Sequence, residues 1–114
     1  SDLPGPSALT AALSIAGLDS DAFTFLGFLP HKKGRQTALK EIAATEYPVV
    51  LYESPHRIIK LLEELSIFVP EKRVTIGREL TKMHEEVITG TPAELKDSLE
   101  SRDAVRGEFV LVVF

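Results

Sequence analysis

Six consecutive apolar residues, Phe109-Val110-Leu111-Val112-Val113-Phe114, close the sequence without one polar side chain among them. Side chains alternate between the two faces of a strand, so a strand of this kind has no face suited to water and needs cover on both sides. A chain of 114 residues meets that requirement by placing the strand inside a sheet overlaid with helices. The choice narrows to an α/β or α+β layer arrangement around one mixed sheet of roughly five strands. A run that stops at its last apolar residue also reads as a domain interrupted at its end.

The other segments alternate in type. Pro6 to Ala16 suits a short helix, with Pro6 in a first turn and Gly17 as a stop. Phe23 to Phe28 reads as a strand broken at Gly27, and it opens into the basic loop Lys32, Lys33, Gly34, Arg35. Leu39, Ile42 and Ala43 give helical spacing within Gln36 to Thr45, and Pro48 then introduces the buried strand Val49-Val50-Leu51-Tyr52. Ser54-Pro55 reads as an N-cap with a first-turn proline, launching a helix whose apolar face is Ile58, Ile59, Leu61, Leu62 and Leu65. Arg73 to Arg78 and Glu86 to Thr89 read as two strands able to pair, separated by a polar stretch. Thr91-Pro92-Ala93-Glu94 has the spacing of a capping box, so a helix runs from there to about Ser101.

Composition removes several classes of function. The absence of cysteine excludes disulfides and thiolate metal sites, and a reducing cytosol is the expected compartment. No apolar run reaches the roughly 18–20 residues that span a bilayer, and the start SDLPGPSA lacks the basic and apolar stretches of a signal peptide. A net charge of −4 argues against non-specific coating of nucleic acid, while leaving room for a local basic patch. His31, His56 and His84 lack the spacing of a metal site, so no metal is expected. There is no GxGxxG, GxxxxGK or GxSxG pattern.

Three polar clusters remain. Tyr52-Glu53-Ser54-Pro55-His56-Arg57 stands where a strand passes into a helix, the position at which open α/β sheets bind ligands. Arg78-Glu79-Leu80-Thr81-Lys82, followed by His84-Glu85-Glu86, puts both charge signs at another strand end, where a carboxylate can accept a proton. Lys32, Lys33 and Arg35 beside Gly34 suit a phosphate. Each cluster has a plain structural alternative: Ser54 as a cap with Tyr52 packed and Arg57 solvated, a salt-bridged surface loop, and a solvated basic loop. Spacing alone does not choose between them.

The strings PGPSALTAAL, FLGFLPHKKGRQ, VVLYESPHRI, GRELTKMHEEVITGT and GEFVLVV occur here in one order. Taken together they resemble the ribosomal RNA small-subunit methyltransferase I branch of the tetrapyrrole methylase superfamily, with YESPHR and RELTK…EE specific to that branch. The resemblance covers essentially the whole chain. It implies the C-terminal domain of a two-domain, class III methyltransferase, with S-adenosylmethionine held in the cleft between the domains. On that view the chain begins at the interdomain junction near Pro4 to Ala8, and the N-terminal domain with its glycine-rich turn is missing.

The implied reaction is methylation of a cytidine ribose 2′-hydroxyl in the decoding region of 16S rRNA, by a cytoplasmic homodimer, with the fragment inactive alone. The resemblance implies cofactor contacts from Ser7 and Ala8, from Tyr52, Glu53 and Ser54, and from Leu80, with Gly107 and Glu108 leading into the last strand. Glu79 and Lys82 are the implied catalytic pair, and Lys32, Lys33, Arg35, His56 and Arg57 the implied RNA contacts. Two rivals stay open: a methylase of the same superfamily with a small-molecule or protein acceptor, and a non-catalytic dimerisation or RNA-docking module.

Overall fold

A computed structural model describes residues 22–81, 84–102 and 107–114, the side chains of Glu79, Leu80, Thr81 and His84 excepted. The expected helix Pro6 to Ala16, with Ser7 and Ala8, and the residue Lys82 lie outside the described residues.

The elements follow as β1 (Thr24–Phe28), α1 (Arg35–Ala44), β2 (Val49–Glu53), α2 (Ile58–Phe68), β3 (Val74–Thr81), β4 (His84–Gly90), α3 (Pro92–Glu100) and β5 (Phe109–Val113). They build one five-stranded sheet in the order β1-β2-β5-β3-β4. The β1–β2 pair is parallel and every other pair is antiparallel, so the sheet is mixed, as expected. The terminal strand β5 occupies the centre, and all five of its residues are buried. Its uninterrupted apolar run is what a central strand requires, because neither face meets water.

Phe109, Leu111 and Val113 face Val49 and Leu51 of β2 and Val74 and Ile76 of β3, and join one core with Leu39 and Ile42 of α1, Ile58, Leu61, Leu62 and Leu65 of α2, and Leu95 and Leu99 of α3. The opposite face is closed as well, since Val50, Val110, Val112 and Thr75 have no exposed surface. Helix ends are held locally. Thr91 Oγ1 accepts the Glu94 amide and the Glu94 carboxylate accepts the Thr91 amide, completing the expected capping box. At the far end of α1, Lys72 Nζ donates to the carbonyls of Ile42 and Thr45, where helix carbonyls lack amide partners.

Two boundaries differ from the sequence reading. Ser54 does not cap α2. Its amide donates to Glu53 Oε1 and its carbonyl accepts the Arg57 amide, so residues 54–57 close a separate turn and the helix starts at Ile58. The β3–β4 hairpin is longer than its apolar alternation, with Glu79 opposite Glu85 and Thr81 opposite His84 across a bulge. Backbone pairing needs no apolar side chain, so the ladder continues through a stretch that looks like a loop.

Candidate functional site

Because β1 and β2 run parallel and β5 returns antiparallel between β2 and β3, one end of the sheet collects most of the polar clusters. Two rows cross it. One holds Phe28, Tyr52, Val110, Gly77 and Val87, and the next holds Glu53, Phe109, Arg78 and Glu86. The loop after β1, with exposed His31, Lys32 and Lys33, leaves from this end, as does the turn 54–57 with exposed His56. Glu79 and Leu80 extend β3 beyond the second row, and Glu108 leads into β5 beside it. The fold therefore unites residues drawn from four segments, at the strand ends where α/β sheets place ligands.

Aromatic side chains form one wall. Leu26 packs into the core, and a bulge between Phe25 and Gly27, where Gly27 has φ 66°, resets the alternation so that Phe25 and Phe28 share a face. Both meet Tyr52 edge-on, at centroid distances of 5.4 Å and 5.6 Å. Phe25 and Phe28 keep about half their surface exposed, 54% and 48%. The sequence marked Tyr52 and missed its partners, because ordinary strand alternation separates positions 25 and 28.

Charged groups on the helix side are mostly paired. Arg78 Nε donates to Glu86 Oε1 at 3.0 Å, and its guanidinium lies 5.3 Å from the centre of the Phe109 ring. Arg102 Nη1 donates to both Glu86 oxygens, at 2.6 Å and 2.8 Å. Burial pushes the Glu86 carboxyl upward, but the Arg102 hydrogen bond and charge, with those of Arg78, outweigh it and hold the group below its ordinary value. A lowered folded-state value contributes stability above the ordinary carboxylate range, and that contribution is lost as pH falls through the lowered value. Glu86→Gln is expected to flatten the acid limb of a stability–pH profile measured by urea unfolding; an unchanged acid limb would count against the network.

Arg35 requires a correction. As the first residue of α1 it is only 4% exposed, and its Nε and Nη2 grip the Glu64 carboxylate while Nη1 donates to the Pro30 carbonyl. A guanidinium so committed fastens the loop to α2 and is not offered to RNA phosphates, which leaves Lys32 and Lys33 as the loop's exposed cations. Arg57 differs again: its Nε and Nη2 are shielded from solvent and have no hydrogen-bond partner among the described residues. Glu53 is buried, with Oε1 accepting the Ser54 amide.

Among the described residues, no group of three or more His, Asp or Glu side chains is placed to hold a metal ion, and no helix is long and apolar enough to cross a membrane. An apolar cavity of about 300 Å³, lined by Thr24, Leu26, Ile42, Ala44 and Val49 among others, lies at the opposite end of β1 and β2, away from these clusters.

The same fold occurs in the methyltransferase CobJ, at TM-score 0.63 and 17% identity over 93% of this chain and 46% of that one. It occurs also in the cobalamin biosynthetic enzyme cobalt precorrin-4 methyltransferase, CbiF, at TM-score 0.64 and 15% identity over 96% of this chain and 49% of that one. The class is thus that of tetrapyrrole-methylase-like α/β folds. The family description "Tetrapyrrole (Corrin/Porphyrin) Methylases" matches residues 3–96, and the chain belongs to this family. Relatives named ribosomal RNA small subunit methyltransferase I are 44% identical in Coprothermobacter proteolyticus, over 98% of this chain and 49% of the relative, and 45% identical in a Hydrogenobaculum species, over 97% and 48%. A third, in Xylella fastidiosa, is 45% identical over 97% of this chain and 42% of the relative. The chain spans about half the length of these curated relatives.

Proposed function

We propose that the chain is the C-terminal domain of a two-domain methyltransferase that moves a methyl group from S-adenosylmethionine to small-subunit ribosomal RNA. The carrying observation is 44% identity across 98% of the chain to a relative of that name, at about twice the length. In its finer form the acceptor is a cytidine ribose 2′-hydroxyl in the decoding region, the protein is a cytoplasmic homodimer, and this domain alone is inactive because the cofactor cleft needs the other half.

When bound, S-adenosylmethionine supplies an electrophilic methyl group on a sulfonium. The strand ends suit such a ligand in kind: Tyr52, half-buried against Phe25 and Phe28, offers an aromatic wall for adenine, and Glu53, Ser54, Leu80 and Glu108 at the neighbouring strand ends are the other proposed contacts. Ser7 and Ala8 belong to the same proposed set. An attacking ribose hydroxyl must be held in line and must lose its proton, so the chain's part is alignment and a proton acceptor. Glu79, near the end of β3, and Lys82 are the proposed candidates for that acceptor.

RNA meets the exposed loop and turn through Lys32, Lys33 and His56, because a folded ribosomal substrate is held largely through phosphates and shape. Lys32→Ala with Lys33→Ala is expected to weaken subunit binding and reduce the salt slope of the binding constant by roughly 1–2; an unchanged slope would remove the loop from the interface. The test of the whole reading is radiolabelled methyl transfer by the two-domain protein to small subunits lacking the modification, with mapping of the ribose methyl. Cofactor binding without RNA methylation would overturn it in favour of a small-molecule or protein acceptor.

A further inference from the structure

Phe25 and Phe28 are left out of the core. Both belong to β1, an edge strand of the sheet, and keep 54% and 48% of their surface exposed. Leu26 and Leu51 join the core built with the three helices, so Phe25, Phe28 and Tyr52 stand together on the other face of the sheet. A contiguous exposed aromatic patch marks a surface that another molecule covers.

The rings are held in place. The bulge that turns Phe25 toward Phe28 sets Gly27 beside the Phe25 ring, where a Cβ would stand 3.5 Å from Phe25 Cε2. Tyr52 braces both rings edge-on, at interplanar angles of 78° and 63°. An edge-on contact uses an edge of one ring and one face of the other, so each phenylalanine keeps at least one face that Tyr52 does not occupy. Flat, fixed and half-exposed faces are what an unpaired nucleobase stacks on.

Charge decides between possible occupants. β1 runs from Phe28 into the loop with exposed His31, Lys32 and Lys33, and β2 runs from Tyr52 into the turn with exposed His56. Arg35 pins that loop by donating to the Pro30 carbonyl, so its cations stay at the same end as the rings. A second copy of the chain, or another protein domain, would have to strip water from Lys32 and Lys33, and lysine is depleted in protein interfaces. RNA supplies phosphates for the cations and bases for the rings at once.

We propose that Phe25 and Phe28 form a stacking platform for unpaired nucleobases of the RNA substrate. The inference rests on the methyltransferase reading and deepens it: the substrate is presented as unpaired RNA, held by its bases on β1 and by its phosphates at Lys32 and Lys33. Tyr52 braces the platform and remains among the cofactor contacts. Stacking releases no counterions, so this part of the affinity is insensitive to salt, unlike the part carried by the lysines.

The test uses the two-domain protein and small subunits lacking the modification. Phe25→Ala with Phe28→Ala is expected to weaken subunit binding roughly 10-fold, the effect of losing a stacked base, while the salt slope of the binding constant and the affinity for S-adenosylmethionine keep their wild-type values. Phe25→Tyr with Phe28→Tyr keeps the flat faces and is expected to bind subunits as the wild type does. Thermal melting checks that both variants fold, and Phe28→Ala alone carries the same comparison where the double alanine variant does not. Unchanged subunit affinity in the alanine variant overturns the platform. So does an equal loss of cofactor affinity, which would give the rings to adenine, and so does a change of oligomeric state with subunit affinity intact, which would give them to a second copy. A wild-type protein that transfers no methyl group to RNA overturns the methyltransferase reading itself; transfer by the wild type with full subunit binding by the alanine variant overturns only this inference.

Discussion

Phe109→Ala is expected to destabilise the protein by about 3–5 kcal/mol, the range for emptying a fully buried aromatic site. Phe109 has no exposed surface and belongs to the central strand, where it pairs with Glu53 on β2 and Arg78 on β3. Its ring also lies against the Arg78 guanidinium, at 5.3 Å, so truncation removes core volume and the surface on which that cation rests. Neighbouring strands hold the cavity open, because hydrogen-bonded backbone on both sides prevents collapse. Urea unfolding measures the loss, and Phe109→Leu should recover more than half of it. A cost below about 1 kcal/mol would mean that the site is not packed as described.

Arg35→Met is expected to cost about 3 kcal/mol, the low end for removing one partner of a buried ion pair. The side chains of Arg35 and Glu64 are 5% and 17% exposed, with Nη2 to Oε1 at 2.6 Å, so the substitution strands a carboxylate that keeps only limited contact with water. The Pro30 carbonyl loses its donor as well. The Glu64 hydrogen bond, working against burial and aided by the charges of Glu64 and Glu53, raises the Arg35 value still further. Adding Glu64→Leu to Arg35→Met should restore part of the lost stability, since an apolar pair of similar volume needs no desolvation. Additive losses in that double-mutant cycle would show that the two side chains do not act together.

Much of the fold was legible because its signals are local. The capping box of Thr91 and Glu94 spans three residues, the spacing of Leu39 and Ile42 follows the helical period, and the apolar run of β5 announces burial on both faces. Where short-range cues competed, they misled. Ser54-Pro55 has the form of a helix start, yet the Glu53 carboxylate takes the Ser54 amide and turns the chain first. The polar residues after Arg78 resemble a loop, yet their backbone pairs across the hairpin. In the candidate site, the clusters at Tyr52, Lys32 and Arg78 were visible as clusters, but their chemical standing was not. Arg35 and Lys33 look alike in sequence, and only one of them has a carboxylate 29 residues away to bury against.

The sequence by itself determined the order and type of the elements, the need for a sheet covered on both faces, and the family resemblance carried by YESPHR and RELTK. Those properties depend on side-chain period and on neighbours a few residues apart. Only the tertiary structure decided that the last strand enters between β2 and β3, which sets Glu53, Phe109, Arg78 and Glu86 in one row. Only there does a bulge turn Phe25 and Phe28 to the same side, and only there is Arg57 left with two shielded nitrogens that have no hydrogen-bond partner among the described residues. Each of these outcomes depends on which distant segments share the core, a choice made by packing and hydrogen-bond completion over the whole chain, which no short stretch encodes.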